Sequence, residues 1–311
     1  MKVGIYAPWA NGDMIMSTPF LKYREELWPG ATIVWFVLPP ENSHAAGLHR
    51  ASPDIVAHNP YIDEVRASMS SPGEMVKARV GHRTNEHGHP LSVSIDEAGK
   101  IKDESSGLPE LSNLDLCYFP APTHNCDKLG TPFTLITKFV FKYSEGAVLH
   151  PCLFFTKEEN EKASSFVSTL PHKYTIMLET EYGSGQSHWN DDLTRDCMRV
   201  ARSTLGFCNF VFASPKSCEK FRDDAGVVDC SGFSIRQCIP IFNRCDLFVG
   251  VGSGISHAVG SWTASPVRRI DCANGTALST SYTSIGPCSN AVRREEFMPL
   301  LVNELNVIHR R

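Results

Sequence analysis

Short apolar runs alternate with stretches of helical spacing along most of the chain. Residues 2–7 open as a brief apolar strand. Residues 14–27 follow, with Ile15, Leu21 and Leu27 spaced for one buried face of a helix. Residues 31–38 are almost continuously apolar, with Ile33, Val34, Trp35, Phe36 and Val37 in succession, the pattern of a parallel strand covered on both faces. Pro39-Pro40 ends it. Further on, residues 114–119 predict a strand and 129–143 a helix.

The rhythm restarts near His150-Pro151. Helical spacing marks residues 157–170, 189–205, 217–223, 234–244, 255–262 and 294–308. Apolar runs at 174–178, 207–213, 246–249 and 267–271 predict the strands between them. Strand alternating with helix predicts an α/β chain with doubly wound parallel sheets. The break near 150 divides it into residues 1–150, residues 151–290 and a closing helix at 291–311. Residues 67–113 stand apart, because Gly, Ser, Pro and charge are mixed there without clear alternation. They read as an excursion from the first half, with a hairpin around 91–102. Irregular segments of that length carry function or stay disordered.

Composition narrows the classes. The 311 residues suffice for two α/β domains, and 42% hydrophobic residues suit packed cores. A net charge of −4 leaves no basic excess, so nucleic acid is not an expected partner. The doublets Arg268-Arg269, Arg293-Arg294 and Arg310-Arg311 read as solvated charges. Eleven scattered cysteines, an odd number with no C-x-x-C pair, argue against a disulfide framework and a zinc ribbon. Free thiols and a reducing cytoplasm are expected. Residues 1–7 are too short for a secretory signal and run into Pro8. Residues 247–267 and 272–292 lack charge, but their Gly, Ser and Pro content reads as strand, loop and helix in the first and mostly loop in the second. Neither predicts a membrane span. Peripheral contact with a membrane surface stays open.

Two loops carry the candidate chemistry, each where a strand hands over to a helix. Strand C-termini open a crevice there, and helix starts offer unpaired N–H groups to anions. The first loop is Ala10-Asn11-Gly12-Asp13. Its lone carboxylate fits a general base taking a proton from an acceptor hydroxyl, with Asn11 and Gly12 on the acceptor side. Asp13 equally fits the N-cap of a helix starting at Met14.

The second loop runs Gly250-Val251-Gly252-Ser253-Gly254-Ile255-Ser256-His257. Gly252 and Gly254 permit close backbone approach, Ser253 and Ser256 offer hydroxyls, and a helix start at Ile255 offers N–H groups. That suits a diphosphate, or simply a tight turn. His257 suits a phosphate contact or a buried backbone group. It also stands where G-x-G-x-x-G would need its third glycine, so the loop is no dinucleotide fingerprint.

Ser184, Gly185, Gln186 and Ser187 form a second Gly/Ser loop after a strand, and two such loops can hold both ends of a nucleotide diphosphate. Trp189 behind it reads as a core anchor. Ser214, Lys216 and Glu219 follow the next strand, where a carboxylate holds ribose hydroxyls or merely caps a helix. His82, His87 and His89 with Glu86 read as a solvated loop, so no metal ligand set is expected.

Taken together, these residues resemble glycosyltransferase family 9, the heptosyltransferase-like family. The resemblance rests on Gly12-Asp13 with Thr18-Pro19, on Asn59-Pro60-Tyr61-Ile62-Asp63-Glu64-Val65, and on Cys245-Asp246-Leu247-Phe248-Val249-Gly250 followed by Ser253-Gly254-Ile255-Ser256-His257. It covers both ends of the chain and most of its second half. It implies a GT-B fold, two Rossmann-like domains facing across a cleft, with the last helix crossing back to the first. It implies inverting, metal-independent transfer of a sugar from a nucleotide-diphosphate donor to a glycan or other hydroxyl acceptor, with no further cofactor. Asp13 matches the family's base, and Ser253, Gly254 and His257 match its diphosphate loop. Two departures stand out. Gly252 occupies a position that is usually acidic, and residues 184–188 lack the usual Lys. A non-catalytic nucleotide-sugar binder or scaffold keeping the fold is the alternative those departures fit. A Rossmann oxidoreductase fits less well, because the first loop has no glycine fingerprint.

Overall fold

The structure, a computed structural model, describes residues 1–6, 11–16, 18–37, 53–67, 114–118, 151–181, 189–251, 254–259, 267–272, 289–292 and 294–311. The hairpin at 91–102, the helix at 129–143 and nearly all of the 67–113 excursion lie outside them. The chain divides into two compact units, Met1–Phe154 and Phe155–Arg311.

In the first unit, β1 (Lys2–Tyr6), β2 (Thr32–Val37), β3 (Glu64–Ala67) and β4 (Leu116–Tyr118) form a parallel sheet in the order β3-β2-β1-β4. The apolar run of β2 is buried from Ile33 to Val37, as a strand covered on both faces requires. The single helix expected over 14–27 is instead three pieces: α1 (Asn11–Met16), a 3-10 turn (Pro19–Tyr23) and α2 (Arg24–Leu27). Pro19 has no N–H to continue the helix. Thr18 ends α1 instead, both its N–H and its hydroxyl bonding the Ile15 carbonyl at 3.1 and 2.7 Å.

The second unit holds six parallel strands in the order β10-β9-β8-β5-β6-β7. They are β5 (Tyr174–Glu179), β6 (Cys208–Phe212), β7 (Val227–Asp229), β8 (Leu247–Val251), β9 (Arg268–Cys272) and β10 (Ser289–Val292). Two of them, β7 and β10, are too short or too polar to read from pattern. The helices are α3 (Lys157–Ser168), α4 (Asp191–Leu205), α5 (Pro215–Phe221), α6 (Ile235–Phe242), α7 (Gly254–Val259) and α8 (Arg294–His309). Caps explain where several begin. Asn190 Oδ1 accepts the Leu193 N–H at 2.9 Å, and Thr156 with Glu159, and Ser234 with Gln237, form reciprocal capping boxes.

Strand alternation splits the core in two. On one face Ile176, Leu178, Val249 and Ile270 pack with Leu193, Cys197, Met198 and Ala201 of α4. Phe297, Leu301, Leu305 and Ile308 of α8 close the same cluster. The closing helix thus buries this face of the second unit. On the other face Met177, Val211 and Phe248 meet Cys238, Ile241 and Phe242 of α6. Cys197, Cys208, Cys218, Cys230, Cys238 and Cys245 are all buried free thiols, which act here as small apolar side chains. Among the described residues no helix is long and apolar enough to cross a membrane.

Candidate functional site

Topology locates the crevices. In the second unit the chain runs from β5 outward through β6 and β7, then returns to β8 on the other flank of β5 and runs outward through β9 and β10. The order reverses between β5 and β8, and ligands of open α/β sheets bind beyond the strand ends at such a switch point. In the first unit it reverses between β1 and β4. The two loops singled out in the sequence, after β1 and after β8, leave strands that border these reversals.

After β1, the chain enters α1 at Asn11, three residues earlier than Met14. Asn11, Gly12 and Asp13 are therefore its first three residues, so Asp13 is not an N-cap preceding the helix. Met14 and Ile15 anchor the turn in the core at 0% exposure.

The neighbouring motif residues have structural duties. The Thr18 hydroxyl accepts the Cys152 N–H at 2.8 Å, and Asn59 Nδ2 donates to the Cys152 carbonyl at 2.8 Å. Two segments distant in sequence thus clasp one residue near the end of the first unit. Asp63 accepts the Ile33 N–H at 2.7 Å and pairs with Arg24.

After β8, the loop expected from Gly250 starts later, because Gly250 and Val251 belong to the strand. Gly250 pairs in register with Glu179 of β5 and with Asp271 of β9. The absence of a side chain at Gly250 is used: an added Cβ would lie 2.7 Å from both the Cβ and the carbonyl oxygen of Glu179. Gly254, Ile255, Ser256 and His257 fall in α7, with Ser256 fully buried. Ser253, Gly252 and the whole loop Ser184, Gly185, Gln186, Ser187 lie outside the described residues. Trp189 is a core anchor, 5% exposed, its ring edge-on to Phe297 and its Nε1 donating to Thr194 at 2.8 Å.

At the end of β5 and the start of α5, Ser214 caps the helix by accepting the Ser217 N–H at 3.4 Å. Glu219 is exposed on α5. Lys216 is exposed and pairs with Glu181 at 3.6 Å. Ser217, buried, bonds the Thr180 hydroxyl at 2.5 Å and donates to Glu181 at 3.2 Å. Thr180, Glu181 and Ser217 were not among the sequence candidates. The pairing of β5 with β6 is what joins Glu181 to α5.

Two buried carboxylates flank Gly250. Burial pushes the Glu179 carboxyl up to about 8, reinforced by the Glu181 charge and opposed by the Glu181 N–H. Burial pushes Asp271 up to about 6, with Arg269 pulling it down. Arg269, read from sequence as a solvated charge, is 4% exposed. Its Nε stands 3.1 Å from Asp271 Oδ2 without hydrogen-bond alignment, and a terminal N–H donates to the Ser256 carbonyl of α7. The other half of the doublet, Arg268, pairs with Glu304 of α8. Adjacent strand residues face opposite sides of the sheet, so the doublet is split between two partners rather than solvated. Among the described residues no three His, Cys, Asp or Glu side chains gather as a metal would need. The group His82, Glu86, His87 and His89 lies outside them.

Compared by sequence, the chain matches no family model and no curated protein. Compared by fold, it matches solved structures over nearly its full length. The ADP-heptose lipopolysaccharide heptosyltransferase II of E. coli superposes with a TM-score of 0.64 at 13% identity, covering 99% of this chain and 98% of that one. A family 9 glycosyltransferase of Veillonella parvula gives 0.59 at 14% identity, covering 96% and 87%. The E. coli heptosyltransferase WaaC, solved with ADP, gives 0.51 at 13% identity, covering 99% and 100%. At such identities the likeness speaks for the fold, and the chain has the fold of these heptosyltransferases and of this family 9 glycosyltransferase.

Proposed function

We propose that the protein is a cytoplasmic GT-B glycosyltransferase that moves a sugar, with inversion, from a nucleotide-diphosphate donor to a hydroxyl acceptor. The observation that carries this reading is topological: the Asp13 segment and the Gly254–His257 segment each follow a strand bordering a sheet reversal. One supplies a carboxylate, the other N–H groups and hydroxyls.

In this reading the second unit holds the donor. Ser253 to His257 and Ser184 to Ser187 receive the diphosphate, and Ser214, Lys216 and Glu219 border the nucleoside, now joined by Glu181. Asp13 takes the proton of the attacking hydroxyl as the bond to the anomeric carbon forms and the diphosphate leaves. Backbone N–H groups and hydroxyls, with no metal, stabilise the leaving charge. Solved relatives in fold include a heptosyltransferase bound to ADP, which makes ADP-sugars the first donors to try.

Thermal stabilisation by ADP, UDP, GDP, CMP and NAD tests the donor half. A ligand at a hundred times its Kd adds about 2.7 kcal/mol. Stabilisation by NAD alone points to a dehydrogenase instead. Asp13→Ala tests the chemistry: turnover falls by at least roughly a hundredfold while nucleotide binding persists. Full turnover in that variant removes Asp13 from the mechanism. Gly252 and the Lys-free loop at 184–188 favour a second reading, a binder without turnover, identified by nucleotide stabilisation with no transfer to any acceptor.

A further inference from the structure

We propose that Arg269 is a positioning residue that fixes α7, and with it the segment Gly254 to His257, against the sheet for diphosphate binding. The inference rests on the donor reading above.

A buried ion pair has to justify its desolvation, because two charges leaving water cost several kcal/mol unless their geometry is good. This one is imperfect. Arg269 Nε and Asp271 Oδ2 are close but misaligned, and among the described residues Asp271 Oδ1 has no hydrogen-bond partner. Apolar residues at both positions would suit this face, where Val267 and Phe248 already pack. What they would not supply is a donor to the Ser256 carbonyl, the third contact of the cluster.

That contact matters because α7 is only six residues long. The Arg269 guanidinium ties the Ser256 carbonyl of this short helix to β9. A guanidinium is always charged and rigid, so it donates along a fixed direction. Arg269 sits on β9, whose register sets Asp271 beside Gly250 of β8. The strand that leads into the segment and the brace that holds it are thus hydrogen-bonded neighbours. Asp271 offsets the charge of Arg269 and holds it in place.

The test is Arg269→Met with Asp271→Leu, a pair that removes both charges at similar volume, a change that is commonly neutral for stability. Two readouts are taken. In the ligand-free protein, amide hydrogen exchange of residues 254–259 is expected to quicken at least tenfold, while β5 and β6 amides stay unchanged. With whichever nucleotide stabilises the wild type, calorimetry is expected to show about tenfold weaker binding of the diphosphate and unchanged binding of the matching monophosphate.

Arg269→Lys, which keeps a cation but loses the fork, is expected to quicken exchange about threefold. It serves as the measured variant where the double change does not fold. Unchanged exchange of 254–259 in the folded variants overturns the proposal. So does equal weakening of diphosphate and monophosphate. Where the wild type binds no nucleotide, the donor reading falls, and exchange alone still decides whether Arg269 fixes α7.

Discussion

Gly250→Ala is the sharpest test of how the second crevice is built. An added Cβ would stand 2.7 Å from the Cβ and carbonyl oxygen of Glu179 and 3.2 Å from its Cα. Carbon atoms rest at about 3.5–4 Å, so the overlap is roughly an ångström. Two of the three obstructing atoms belong to backbone, and rotamer changes do not relieve them. Retreat of the strands is blocked as well, since β8 is held by β9 and β5 by β6. Overpacking costs about 1–3 kcal/mol where a core can adjust, and this site lies at the upper end. Urea unfolding at pH 7 is the assay, with the midpoint falling at unchanged slope. A variant within about 0.5 kcal/mol of wild type would refute the close approach of β5 and β8 and, with it, the account of why glycine stands there.

Three further outcomes are expected. Glu179→Gln removes a pH dependence. The folded carboxyl titrates near 8 against a reference of 4.5, so its contribution to stability is greatest below the reference value and is lost as pH rises toward 8. Wild type should lose on the order of 2 kcal/mol relative to the variant between pH 6 and 8, and parallel urea midpoints across that range count against it. Glu159→Ala breaks the Thr156 capping box and takes from Arg236, 5% exposed, the carboxylate that it bonds at 2.5 and 2.9 Å. A loss of about 3 kcal/mol is expected in the same assay; a loss under about 1 kcal/mol would mean that the remaining contacts of Arg236 carry its charge. Thr18→Val removes the hydroxyl that accepts the buried Cys152 N–H and should cost about 2 kcal/mol, with faster exchange of that amide as the direct readout.

How much of this was legible in the chain follows from the range of each interaction. Periodicity is local, so the strands at 2–6, 32–37, 174–179 and 208–212 and the long helix at 191–205 could be read directly from residue order. Helix starts were legible where a side chain caps its own helix, as at Ser234. They were missed by a few residues where the chain enters from a loop, as at Asn11. Pro19 marked the break after α1, yet its consequence depended on the Thr18 hydroxyl turning back to Ile15.

The sequence by itself determined alternating strand and helix, two units' worth of apolar strands, and the candidate chemistry at strand ends, because those features depend on residue order alone. Tertiary structure decided the rest. Strand order is a matter of long-range pairing, so only the fold shows that the Asp13 and Gly254–His257 segments border sheet reversals. Burial of a charge depends on what lies across the sheet. The doublet Arg268-Arg269 therefore reads as solvent-facing in one dimension and becomes, in three, a pair of internal braces to Glu304 and to Ser256. In the sequence Gly250 reads as the first residue of a loop. In the fold it is the one residue small enough to let Glu179 pass.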